Sequence, residues 1–226
     1  TRYGKVFIDD FKNVDFIDFS NSTAGMDTFQ GRILLSGAGG AGGSPTGHVS
    51  LANFNTAMGS MFINTQANFN NHPNGALQAN FYAGIGISSM TSTSGNVQNS
   101  AGPGQGNQGG AIQGEGPHQA SGMLTNIGPN SQFTMTFGNA QSGVGFMVVD
   151  KFQGGGMRLK GYSGVQGNGN LIATATAPNN NYQRNNMVFM GVTDGGVNSI
   201  RSVVWNIPNN GGDVVGIDDI RFGATG

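Results

Sequence analysis

Met187–Phe222 reads MVFMGVTDGGVNSIRSVVWNIPNNGGDVVGIDDIRF, and three short strands joined by turns account for it. Met187–Val192 is a continuous apolar run. Ile200–Ile207 sets Ile200, Val203 and Trp205 among Arg201, Ser202 and Asn206, and Val214–Phe222 places Ile217, Ile220 and Phe222 around Asp218 and Asp219. Between them lie Asp194-Gly195-Gly196 and Pro208-Asn209-Asn210-Gly211-Gly212. Gly and Asn tolerate positive φ and Pro presets its own φ, so both segments are turns for a stated reason.

The same pattern continues towards the N-terminus. Leu171–Ala177, Met157–Tyr162, Val144–Asp150 and Phe133–Phe137 all read as strands. In the second of these Met157, Leu159 and Gly161 alternate against Arg158, Lys160 and Tyr162, and Trp205 alternates with Val203 and Ile207 as a core residue would. Further back, Ala79–Ser88 puts Phe81, Ala83, Ile85 and Ile87 on one face. Val49–Phe54, Gly59–Asn64, Thr28–Ser36, Lys5–Phe11 and Val14–Phe19 are shorter strand candidates. No convincing amphipathic helix interrupts them. The expectation is an all-β chain: one antiparallel β-sandwich, jelly-roll-like, over residues 1–226, with long Gly/Asn-rich loops. Residues 89–122 form its Gly-rich low-complexity loop, with AGPGQGNQGGAIQGEG at the centre.

Composition narrows the function classes. Only 9% of the 226 residues are charged and the net charge is −1, so no basic surface is available for nucleic acid and no polybasic patch for lipid. The 41 glycines lack a three-residue period, which excludes collagen. With no cysteine, disulfides, thiol nucleophiles and zinc–thiolate sites are out. No apolar run approaches the ~18–20 residues of a membrane span. A first residue of Thr1 leads to the expectation of an extracellular or cell-surface protein released from a signal peptide. Asn21-Ser-Thr has the form of a glycosylation sequon.

Catalysis is not expected. A glycosidase needs two carboxylates about its bond, yet Glu115 is the only glutamate and Asp150 and Asp194 end strands, where aspartate caps turns. His48, His72 and His118 sit in Gly/Pro-rich stretches and read as surface-loop residues, without a Gly-x-Ser-x-Gly elbow. Among the aromatics, Tyr162 and Tyr182 lie at strand ends beside Gly and Asn and are the candidate sugar platforms. The Thr174/Thr176 alternation alone suggests an ice-binding surface.

FTMTFGNAQSGVGFMVVD, MRLKGYSGVQGNGNLIATA, MVFMGVTDGGVNSIRSVVW and VVGIDDIRFG, in that order, resemble bacterial surface and matrix proteins of the exosortase-sorted, PEP-CTERM type, and are also similar to jelly-roll carbohydrate-binding modules. In both groups a phrase like Gly216-Ile-Asp-Asp-Ile-Arg-Phe-Gly closes the domain. The resemblance implies that first and last strands lie close and that aspartates on them hold a structural Ca2+. The candidates are Asp9, Asp10, Asp18, Asp218 and Asp219, and the family likeness favours Asp218, whose neighbours Ile217 and Ile220 look like core positions.

Two functions follow as expectations. A surface of Asn, Gln, Ser, Thr and Gly lacks the charges that keep sheet edges apart, so self-association into a filament, matrix or surface layer is the leading one. Its contact would be strand addition through Val6, Phe7, Ile8 and Phe11. The alternative is a carbohydrate-binding module or adhesin with a structural calcium.

Overall fold

A computed structural model describes residues 43–59, 65–67, 69, 75–100, 123–127, 130–149, 156–177, 187–208 and 215–225. The chain divides into two compact units, Thr1–Ser36 and Gly37–Gly226, and the first lies outside the described residues. The expectations for Val6, Phe7, Ile8, Phe11, Asp9, Asp10, Asp18 and Asn21 therefore fall outside them, as do those for Asp150, Tyr182 and residues 101–122.

The described part is an antiparallel β-sandwich. One sheet begins with β1 (Thr46–His48), which pairs with β11 (Met187–Thr193). It continues through β8 (Gly143–Val149), β13 (Val215–Gly223), β6 (Met123–Ile127), β5 (Gln98–Ser100) and β3 (Gly75–Ala76), and β2 (Thr65–Ala67) also pairs with β13. The smaller sheet runs β10 (Leu171–Thr176), β9 (Arg158–Tyr162), β12 (Ile200–Ile207), β7 (Ser131–Gln141) and β4 (Ile87–Ser92).

Period-two alternation builds the core between the sheets. Phe133, Met135 and Phe137 of β7, Leu159 of β9, and Val203 and Trp205 of β12 face Val144, Phe146 and Val148 of β8 and Ile217, Ile220 and Phe222 of β13. Trp205 lies edge-on to Phe146 at 5.4 Å, and Phe137 meets Phe222 at 5.1 Å. The Trp205 indole N–H has no partner among the described residues, a cost of about 1–3 kcal/mol. Deleting a buried aromatic costs about 3–5 kcal/mol, so the ring's packing outweighs that penalty.

Two strand expectations are corrected. Val49–Phe54 is not a strand: Leu51–Met58 is a helix, α1, whose N-cap Ser50 accepts from the Asn53 amide at 3.4 Å and which ends at Gly59 with φ 59°. Phe54 and Met58, four apart, share one buried face, and that helical spacing overrides the local β bias. The helix sits on the outer face of the larger sheet, over positions kept bare of side chains. A Cβ at Gly191 would stand 2.7 Å from the Phe54 ring, and one at Gly143 would run into the Met58 sulfur. Likewise, Ala79–Gly86 forms turns and a single 3-10 turn, and the strand starts only at Ile87. Gly86 takes φ 105° there, and Ile85 turns out to solvent instead of joining the core face. The low-complexity segment also begins later than its composition suggests, because Ser89–Ser92 belongs to β4 and Gln98–Ser100 is β5.

The described sheet borders are short or covered. Gly47 of β1 lies against the Thr174 and Ala175 backbone of β10, so one border of each sheet guards the other. On the far side, Met90 and Ile87 of β4 donate to the carbonyls of Ala79 (2.7 Å) and Tyr82 (3.2 Å). β3, the last strand of the larger sheet, has two residues.

His48 is another correction. It is buried in β1 instead of lying in a surface loop; its Nε2 hydrogen-bonds with Thr193 Oγ1 at 3.0 Å and its ring stands edge-on to Phe54 at 5.7 Å. Burial lowers its pKa from 6.5. The unfolded chain therefore takes up a proton at a pH where the native ring does not. Stability is full above 6.5 and is lost as pH falls from there towards the lower native pKa. The thermal midpoint should drop on acidification through this window, and less so in His48→Asn. Parallel pH profiles for the two proteins would dismiss the idea.

Candidate functional site

The inner face of the smaller sheet is apolar, and its outer face is polar. Strand register aligns the outward residues in rows. One row runs Thr176, Arg158, Asn206, Gln132, the next Thr174, Lys160, Val204, Thr134, Thr91, and the third Leu171, Tyr162, Ser202, Thr136, Ser89. Along each strand these positions lie two residues apart, except on β10, where a register shift sets Leu171 three residues from Thr174 and keeps it in the outward row.

The third row is partly roofed. Residues 163–170, between β9 and β10, fold back over β12 and β7. The Gly167 amide donates to Ser202 Oγ at 2.9 Å, Ser202 Oγ donates to the Gly164 carbonyl at 2.6 Å, and the Gln166 amide donates to Thr136 Oγ1 at 3.3 Å. Gln166 adopts φ 55° to make the turn, and Gly167 lies so close to Val204 that a Cβ would be 2.6 Å from its methyl. This strap buries Ser202 and Thr136 of the third row and Val204 at the middle of the second, and leaves Arg158, Thr174, Thr176, Gln132 and Thr91 exposed. Tyr162 is half-buried beside the strap, opposite Leu171, which is 55% exposed. The result is a rigid terrace of hydroxyl, amide and cationic groups with a wall and an aromatic at one end.

The described carboxylates are all elsewhere. Asp194 is buried at the end of β11, where it caps the following turn as its sequence position suggests. Asp218 and Asp219 lie in β13, each 1% exposed, so neither faces water. The β13 register shifts between Asp218 and Arg221, Asp219 takes φ 48°, and its amide donates to Asp218 Oδ1 at 2.7 Å. This bulge lets one strand pair with β6 before it and β2 after it. Nearby, burial pushes the Tyr82 phenol up to about 12; the Asp218 charge adds to this and the Phe69 amide, donating at 3.0 Å, offsets part of it.

Ile217 and Ile220 flank the aspartates as core residues. Calcium takes about six to eight oxygens, and among the described residues no group of three His or acidic side chains gathers anywhere. Of the named metal candidates, Asp218 and Asp219 are the ones among the described residues, adjacent in β13. Of the two sugar candidates it places Tyr162 on the terrace. Thr174 and Thr176 are side by side on β10, but the next strand presents Arg158 and Lys160, so the threonine pair does not extend onto β9 as a flat array. Sequence reasoning exposed the outward set of β9 but not its partners Thr91, Gln132, Thr134 and Asn206, which only the register of non-consecutive strands assembles.

No family model and no curated protein matches the chain. Among solved structures it is similar to the K2 cleaved adhesin domain of Lys-gingipain, with 13% identity over 70% of this chain and 98% of that one and a TM-score of 0.45. It is also similar to a family 6 carbohydrate-binding module from Clostridium stercorarium in complex with cellobiose, with 14% identity, 62% and 88% coverage and a TM-score of 0.36. A family 43 arabinoxylan arabinofuranohydrolase from Bacillus subtilis aligns at 14% identity over 70% of this chain and 28% of that one, with a TM-score of 0.35. Likenesses of this size assign neither family nor ligand.

Proposed function

We propose that the chain is a non-catalytic, extracellular carbohydrate-binding or adhesin domain whose glycan lies on the outer face of the smaller sheet. One observation carries this: the open rows of that sheet hold hydroxyls, amides and cations on rigid strands beside Tyr162 and Leu171. A sugar ring offers many hydroxyls and an apolar face. Fixed partners for both, already ordered before binding, lose little conformational entropy on contact. The non-catalytic reading is supported by the burial of every described carboxylate, none of which lies on the terrace. No helix among the described residues is long and apolar enough to cross a membrane. Display at a bacterial surface is what the sequence resemblance implies. Self-assembly by strand addition has less behind it, since the described borders offer no long open strand.

Retention on polysaccharide affinity gels tests the reading. At least one polymer should retard the protein, and Tyr162→Ala should weaken that retention by about tenfold or more, as loss of an anchoring aromatic does. Uniform migration on every polymer would end it. A chelator arm addresses the metal that the sequence resemblance implies: if the chain holds a structural calcium, chelation lowers the thermal midpoint and added calcium restores it.

A further inference from the structure

We infer that the terrace recognises an acidic polysaccharide, one whose sugars carry carboxylate or sulfate groups; this rests on the glycan-binding reading above and names its ligand class. Arg158 and Lys160 project from the same face of β9, two residues and so about 7 Å apart. Their row neighbours are Thr176 and Asn206 for Arg158, and Thr174 and Val204 for Lys160: hydroxyls, an amide and an apolar side chain, with no acid. The three described carboxylates, Asp194, Asp218 and Asp219, are buried elsewhere, so no described group on this face neutralises either cation. A cation pair with no acid beside it among the described residues matters in a chain whose charged residues are only 9% of the total, because its field is not lost among many others.

The geometry divides the labour. The guanidinium fork of Arg158 pairs with two oxygens of a carboxylate or sulfate at once, and Lys160 acts as a point charge one step along the strand. Thr174, Thr176 and Asn206 beside them take the neutral hydroxyls. The pairing therefore suits a polymer with an anion on successive or alternate sugars. A net charge of −1 argues against general polyanion binding, which draws on a broadly basic surface.

Titration calorimetry with oligomers of polygalacturonate, a sulfated dextran, neutral xylan and duplex DNA is the test. An acidic glycan should bind at least about tenfold tighter than xylan, and more weakly as salt shortens the Debye length. Arg158→Ala/Lys160→Ala should lose about a hundredfold, and Arg158→Lys about tenfold, since charge remains but the fork is gone. Comparing the carboxylated with the sulfated polymer identifies the source of the anion. Equal binding of xylan and acidic glycan, or acidic-glycan binding unchanged in the double variant, overturns the inference and leaves the glycan reading standing. Duplex DNA bound as tightly as the acidic glycan also overturns it. If no polymer binds, the glycan reading falls as well. Thermal midpoints of the variants should match the parent, because Arg158 is exposed and Lys160 lies on the outer face.

Discussion

Gly47→Val should both destabilise the protein and make it self-associate. At this position the backbone of β1 touches that of β10, and a Cβ would drive into the Thr174 carbonyl oxygen and approach the Ala175 Cα at 2.6 Å. Neither obstacle is the flexible end of a side chain, so neither yields cheaply. The penalty should reach or exceed the ~3 kcal/mol upper end usual for overpacking. Escape means moving β1 away, which takes His48 from its place against Phe54 and Thr193. It also uncovers the β10 edge, whose amides and carbonyls then face solvent. A low-charge surface has little to oppose pairing of such an edge with another copy. Denaturant unfolding should show the loss in stability, and light scattering a rise in mass with concentration. Gly84→Ala is the control, because nothing lies within 4 Å of a Cβ there. A Gly47→Val protein with parental midpoint and mass would show that the two sheets do not meet as described.

That position also marks what a sequence reader can and cannot see. The closing strands were legible because their signal is local: alternation within each, Gly and Asn between. Met187–Thr193 and Ile200–Ile207 emerge nearly residue for residue. Helix α1 was not legible, since eight residues with a pair of buried side chains carry little signal of their own. Its stability comes from a seat cut by Gly143 and Gly191, both far along the chain. Ala79–Gly86 misled for the opposite reason. Its alternation is real, but the glycines that separate the apolar residues bend the chain before a ladder can form. At the terrace, Arg158, Lys160 and Tyr162 could be placed together because they share a strand. The threonines and amides beside them come from β4, β7, β10 and β12, and nothing local announces that β9 lies between β10 and β12.

Asp194→Ala should cost about 3–5 kcal/mol, although the residue touches no ligand face. Its Oδ1 accepts from the amides of Gly196 (2.8 Å) and Val197 (3.1 Å), and its Oδ2 from the amide (2.5 Å) and hydroxyl (2.9 Å) of Ser199. A hydrogen bond to a charged acceptor contributes about 1.5–3 kcal/mol; water replaces part of this in the half-buried loop, which keeps the sum below the simple total. The turn needs the help, because Gly195 and Gly196 take φ 82° and 95°, and Asn198 takes φ 53° without a glycine's freedom. The damage should spread along one path. Asn198 accepts from the Thr225 amide at 2.7 Å, donates to the Thr225 carbonyl at 2.8 Å, and accepts from Ser142 Oγ at 2.5 Å. Releasing the turn therefore frees the end of β13 and the β7–β8 corner together. Asp194→Asn should lie between the parent and the alanine variant, since its oxygen can still serve Gly196 and Val197 while its new N–H group faces the Ser199 amide. Ser199→Ala, losing one hydroxyl, should cost only about 1 kcal/mol. Amide exchange gives the decisive reading: Thr225 and Asn198 should lose protection well before Met135 or Val203 in the core. If those four amides exchange in step, the cap is not a local clamp and its effect is on the whole sandwich.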